Sequence, residues 1–226
     1  MAESYLTRKN SAEKARRWIG QAERHPRRRI RFEFRRSSSA LLVLDMQNFF
    51  LDRRSHAFVP AAKVILPNIQ KLIDAFRRAG RPVVFTRHAL LASEDAGMMG
   101  RFWRDVVREG SQESRLSSEL KRNRKETVLR KTRYSAFLGT DLEKILARSR
   151  VSTVAITGVV THLCCESTAR DAFARDLEVW LVADGTASWT EDLHLSSLKS
   201  ISDGIAIVTT TQEILACFSE VQDEKD

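Results

Sequence analysis

Three side chains of complementary chemistry stand at or soon after the ends of short stretches that read as strands. Asp45 follows the run 40–44, Lys131 follows 126–129 within Arg130-Lys131-Thr132-Arg133-Tyr134, and Cys164 comes soon after the run 153–158. A carboxylate can take a proton, an ammonium can hold developing negative charge, and a thiol attacks carbonyl carbon once ionised. Two influences favour the thiolate, a helix N-terminus and a nearby cation. A helix starting near Leu163 would supply the first, and Lys131 the second. Together they describe a hydrolase in which Asp45 accepts the thiol proton and later activates water against an acyl-enzyme. Singly, each has a plainer reading: a free cysteine packs as a small hydrophobe, an aspartate caps a turn, and a lysine is solvated.

The elements that must gather these residues follow a regular alternation. The run 40–44 is apolar without period-two alternation, the mark of a strand buried on both faces. Residues 65–79 place Ile65, Ile69, Leu72, Ile73 and Phe76 at helical spacing and stop at Gly80, an amphipathic helix with a glycine end signal. Further strands are predicted at 82–86, 126–129, 153–158, 179–183 and 205–208. Further helices are predicted over 142–147, after Thr140-Asp141, and over 167–175 and 192–201. Strand and helix in turn predict a three-layer α/β/α sandwich with an open, mostly parallel sheet. Ligands of such sheets bind beyond the strands' carboxyl ends, where all three residues fall. Residues 89–125 carry no clear strand and, with Gly97, Gly100, Phe102 and Trp103, read as a flap.

Size and charge narrow the classes. The 226 residues are 42% hydrophobic, enough for one α/β domain over 40–226. Of the net charge of +9, most lies in an N-terminal extension, 1–39: residues 1–40 hold twelve Lys and Arg against four Glu. The rest of the chain is nearly balanced. Arg24-His25-Pro26-Arg27-Arg28-Arg29 would bind phosphate by charge alone, but a near-neutral core argues against nucleic acid as the partner. The extension is better read as a solvated arm, or as a helix packed on the core or on a neighbouring subunit. No apolar run is long enough for a membrane span and the basic N-terminus lacks a secretory apolar stretch, so a cytoplasmic location is expected. Three cysteines, two of them adjacent at Cys164-Cys165, make a poor disulfide or zinc framework.

Taken with Leu44-Asp45-Met46-Gln47-Asn48-Phe49-Phe50, Lys131-Thr132-Arg133-Tyr134-Ser135-Ala136-Phe137, GVVTHLCCESTARDA from Gly158, and Val182-Ala183-Asp184-Gly185, the chain resembles the isochorismatase-like cysteine hydrolases. That family includes nicotinamidases, N-carbamoylsarcosine amidases and isochorismatases. The resemblance implies the Asp/Lys/Cys triad on Asp45, Lys131 and Cys164, with Cys165 turned toward the core. It also implies a cis peptide at Val160–Thr161 that helps aim backbone N–H groups, Cys164's among them, at an oxyanion. A homo-oligomer, dimer or tetramer, is expected with it.

Zinc-holding members carry Asp-x-His after the second strand, where this chain has His88 and Leu90. No metal and no cofactor are therefore expected. Phe49 replaces an acidic residue usual after Gln-Asn. The substrate is expected to be a small molecule, contacted by Phe50, Phe137, Trp103 and His162, with Arg87 and Arg133 as candidates to hold a carboxylate. Cleavage of an amide or carbamoyl C–N bond is the leading expectation, because Cys164 occupies a position that is small in the vinyl-ether-cleaving isochorismatases. Ether hydrolysis of that type is the alternative, and a non-catalytic binding or oligomerisation module is the third.

Overall fold

A computed structural model of the protein describes residues 4–22, 33–103 and 105–219. Its strands are β1 (Ser39–Leu44), β2 (Val83–His88), β3 (Thr127–Lys131), β4 (Thr153–Val159), β5 (Glu178–Ala187) and β6 (Ile207–Thr209). They form one parallel sheet in the order β3-β2-β1-β4-β5-β6. Every residue of β1 and of β4 is buried, which is why neither shows polar alternation.

The helices among the described residues are α1 (Ser11–Ala22), α2 (Asn48–Leu51), α3 (Ala62–Arg78), α4 (Gly97–Trp103), α5 (Leu142–Arg148), α6 (Glu166–Phe173), α7 (Glu191–Ser202) and α8 (Thr211–Ser219). α3 buries the predicted stripe Ile65, Ile69, Leu72, Ile73 and Phe76, and Gly80 with φ 63° takes the left-handed turn beyond it. α3 packs with α8, while α1 and α6 pack with α7, and both groups rest on β5. The sheet is thus the middle of the expected three layers.

Within the N-terminal extension, α1 lies on α7, β5 and β6, with Leu6, Ala15 and Trp18 fully buried. This stretch is packed rather than solvated. The arginine cluster Arg24 to Arg29 lies outside the described residues. α1 is the packed helix given as one reading of the extension, whereas α2, α4 and α8 were not anticipated. Among the described residues no helix is long and apolar enough to cross a membrane.

Strand order reverses at the middle of the sheet, with β2 and β3 on one side of β1 and β4 to β6 on the other. The connections leaving β1 and β4 therefore diverge and open a crevice at their carboxyl ends.

Candidate active site

Asp45 is the first residue past β1 and adopts φ 51°, a left-handed turn that short polar side chains tolerate best after glycine. Its N–H donates to the Thr86 carbonyl at 3.2 Å, and Thr86 Oγ1 donates to Asp45 Oδ1 at 2.7 Å. Lys131 ends β3 in register with His88 of β2. The Lys131 and Asp45 side chains are both 0% exposed, with Nζ 2.7 Å from Oδ2. The same nitrogen donates to Cys164 Sγ at 3.2 Å and to the Arg133 carbonyl at 3.0 Å. Two hydrogen bonds and an adjacent carboxylate are what make a buried ammonium tolerable. Asp45 Oδ2 sits at ion-pair distance from Lys131 but makes no aligned hydrogen bond, so it retains acceptor capacity beside the sulfur.

The third member arrives from β4. Gly158 registers with Leu44, and a Cβ there would stand 2.0 Å from the Leu44 carbonyl oxygen. With φ 112°, only glycine suits the position. The cis peptide is Val159–Val160, one residue earlier than expected, because Val159 is the last residue paired with β5 and the chain leaves the sheet directly after it. Thr161–Cys165 then forms a π-helical turn that runs straight into α6. Cys164 is thus inside a helical turn rather than ahead of a helix start, and Cys165 packs in the hydrophobic core.

Burial and the Lys131 charge act on the sulfur in opposite directions. Burial comes first and pushes the Cys164 thiol up to about 12; Lys131 pulls it down, and the Asp45 carboxylate pushes it up. Burial thus opposes the pull of Lys131 on the sulfur, which lies beside the Asp45 carboxylate. Lys131 is held above its ordinary value: burial works against its charge, but Asp45 and Cys164 outweigh it. His88 is pushed down to about 4 by burial and by the Lys131 charge, so it is neutral at physiological pH.

A cavity of about 440 Å³ opens onto Cys164. Phe50, Trp103 and His162 line it as expected, together with Val160. Thr161 is fully buried and outside the lining, its hydroxyl 2.8 Å from His194 Nδ1. Arg87, Arg133 and Phe137 are not among the lining residues. Arg87 is engaged by Glu109 at 2.5 and 2.8 Å, Arg133 folds back on the Thr132 carbonyl at 2.8 Å, and Phe137 lies under the Arg175 guanidinium at 4.8 Å. The flap closes the cavity through Trp103, whose Nε1 donates to Tyr134 Oη at 2.8 Å.

Sequence reasoning missed Phe49, His56, Tyr134, Trp189 and Leu193 as lining residues, and Thr86 as the support of Asp45. Tyr134 had a signal in its place three residues after Lys131, and Phe49 had one in its place beside Phe50. A larger polar cavity of about 780 Å³ shares the Phe49, His56 and Asp105 wall but does not reach Cys164.

A buried ammonium bridging a carboxylate and a thiol, at the reversal point of a parallel α/β sheet, defines a cysteine-hydrolase type of site. The isochorismatase domain model matches residues 39–213. Nicotinamidase 3 of Arabidopsis thaliana is 37% identical over 78% of this chain and 86% of its own. Enterobactin synthase component B of Escherichia coli K12 is 32% identical over 84% of this chain and 67% of its own. The crystal structure of a cysteine hydrolase from Pseudomonas syringae pv. phaseolicola 1448A superposes with a TM-score of 0.81 at 26% identity, covering 86% of this chain and 99% of that one. The chain belongs to the isochorismatase family of hydrolases. The zinc of some members does not fit here: at the two positions concerned, His88 stands with the buried apolar Leu90. Among the described residues no three His, Cys, Asp or Glu side chains gather as a metal site.

Proposed function

We propose that this protein hydrolyses a C–N bond, amide or carbamoyl, of a small molecule through a thioester on Cys164. The observation that carries the reading is Lys131 Nζ set between Asp45 Oδ2 at 2.7 Å and Cys164 Sγ at 3.2 Å, beneath a cavity that opens onto the sulfur. Asp45 takes the thiol proton as Sγ bonds to the carbonyl carbon. Lys131 steadies the transient thiolate, and backbone N–H groups of the 160–164 turn hold the oxyanion. Collapse breaks the C–N bond, and the proton on Asp45 leaves with the amine. Asp45, again a carboxylate, then takes a proton from water as it attacks the thioester, releasing the acid and the thiol.

The cavity wall favours this chemistry over vinyl ether cleavage of a dicarboxylate. Among its described lining residues none is lysine or arginine, and the sole carboxylate is Asp105. Two buried carboxylates would find no lysine or arginine to pair with among the described lining residues. Aromatic walls from Phe49, Phe50, Trp103 and Trp189 suit a flat, uncharged amide. Nicotinamide is the first compound to try, given the most similar curated relative described above.

The test is turnover of a panel of small amides and carbamoyl compounds, with isochorismate alongside. Native protein should release amine or ammonia and accumulate a Cys164 thioester visible as a mass increment. Cys164→Ala should lower turnover by at least about 10⁴-fold. Isochorismate cleavage that survives Cys164→Ala would replace this reading with the ether-hydrolase one.

A further inference from the structure

The family match begins at residue 39, yet the segment 4–22 is joined to the nucleophile's turn by two routes, which touch where the Tyr5 ring meets Trp18 and His194. The first runs through α7. Glu191 at its start receives Lys14 Nζ at 2.5 Å, Arg17 Nη2 at 2.7 Å and Trp18 Nε1 at 2.8 Å. The Trp18 ring stands edge-on to the His194 imidazole, with centroids 4.6 Å apart and planes at 65°. His194 Nδ1 in turn meets Thr161 Oγ1 at 2.8 Å. Trp18, His194 and Thr161 are all fully buried. The second route is shorter. Tyr5 Oη accepts from the Ser188 N–H at 3.1 Å, and Ser188 Oγ lies 3.0 Å from His162 Nδ1.

The two routes end on consecutive residues, Thr161 and His162, the first two of the π-helical turn that holds Cys164. From this convergence we propose that segment 4–22 is a brace that sets Cys164 Sγ against Lys131 and Asp45, with Tyr5 and Trp18 as its positioning residues. The buried Thr161 hydroxyl is partnered by His194, and His194 is packed under Trp18. Removing the indole leaves a space into which the imidazole, and the hydroxyl it holds, can turn. Single π-helical turns are uncommon and concentrate at functional sites, so this one depends on its neighbours to keep its shape. A nucleophile misplaced by about 1 Å loses on the order of 10²-fold in rate. The proposal rests on Cys164 being the nucleophile.

The experiment uses the full chain and four variants: Trp18→Ala, Trp18→Phe, Tyr5→Phe, and Ile69→Ala as a destabilised control in α3. Two readouts are compared, the pH profile of Cys164 alkylation by iodoacetamide, followed by peptide mass, and kcat with KM on a turned-over amide. Trp18→Ala should lower kcat about 10²-fold with KM nearly unchanged, and should shift the alkylation profile. Trp18→Phe keeps a ring against His194 and should recover most of both. Tyr5→Phe should show a smaller change of the same kind, and Ile69→Ala should show none despite its lower stability.

A Trp18→Ala protein that alkylates and turns over like the native one overturns the brace, as does an Ile69→Ala protein that moves the profile equally. Should Trp18→Ala fail to fold, a Tyr5→Phe protein with the native alkylation profile and native kcat overturns it instead. Absence of amide turnover in the native protein would count against the proposed reaction alone. The alkylation comparison would still decide for or against the brace.

Discussion

Two neighbouring cations on β3 have opposite surroundings. Arg130 is 28% exposed and pairs with Glu94 at 2.7 Å, whereas Lys131 is 0% exposed and pairs with Asp45. β2 repeats the pattern in register, Arg87 beside Arg130 and His88 beside Lys131. Arg87 pairs with Glu109, while His88 lines the cavity. Successive strand residues point to opposite faces, so one face of this sheet edge grips the flap that carries Glu94 and Glu109, and the other builds the site. A single step along the strand separates a clasp from a residue of the candidate site, and residue type alone cannot say which is which.

The sharpest way to break that contrast is to remove the inner cation. Lys131→Met leaves the Asp45 carboxylate buried without its counter-charge, which should cost about 3–5 kcal/mol and lower turnover by at least about 10³-fold. Urea denaturation and initial rates measure the two losses. Adding Asp45→Asn to Lys131→Met should recover much of the stability and none of the activity. Recovery of activity would show that the charge pair is scaffolding.

Lowering the pH probes the same face more gently. His88 is pushed to about 4 by burial and by the Lys131 charge, and His194 to about 3 by burial, against about 6.5 in an unfolded chain. Both are neutral when folded, so on acidification the unfolded state takes up protons first. Their stabilising contribution is complete above about pH 6.5 and falls below it, by about 2 kcal/mol for each histidine at pH 5. The urea midpoint should drop between pH 7.5 and pH 5, and His88→Gln should remove a large part of that drop. An unchanged midpoint would mean that the histidines are charged in the native state.

The contrast between the faces also explains what could be read from the chain in advance. The unbroken apolar runs of β1 and β4 announce strands covered on both sides, and Gly158 marks where β4 meets β1 too closely for any Cβ. Asp45, Lys131 and Cys164 were legible because each ends or follows a stretch that reads as a strand. Arg87 was read as a substrate contact because its partner Glu109 lies in a flap without periodicity, and that pairing is a tertiary fact. α1 was hidden for a similar reason. Its buried side is mainly Ala15, Trp18 and Ala22 among charges, too thin a stripe to separate a docked helix from a solvated arm. The charges around Cys164 were legible, but the burial that works against its ionisation was not.

The smallest effect is the most discriminating for the outer face. Arg87 and Glu109 are 25% and 28% exposed, so solvent screens the pair and Arg87→Ala should cost at most about 1 kcal/mol of stability. Its consequence should pass through the flap, raising KM about two- to fivefold on an uncharged amide while leaving kcat near native, because Trp103 then closes the cavity less often. The charge-reversed pair Arg87→Glu with Glu109→Arg should bring KM back toward the native value. Were Arg87 a carboxylate anchor instead, its loss would spare uncharged amides and penalise acidic ones by tenfold or more, and reversing the pair would restore nothing. A comparison of KM for one neutral and one acidic amide across these three proteins separates a clasp from a binding residue.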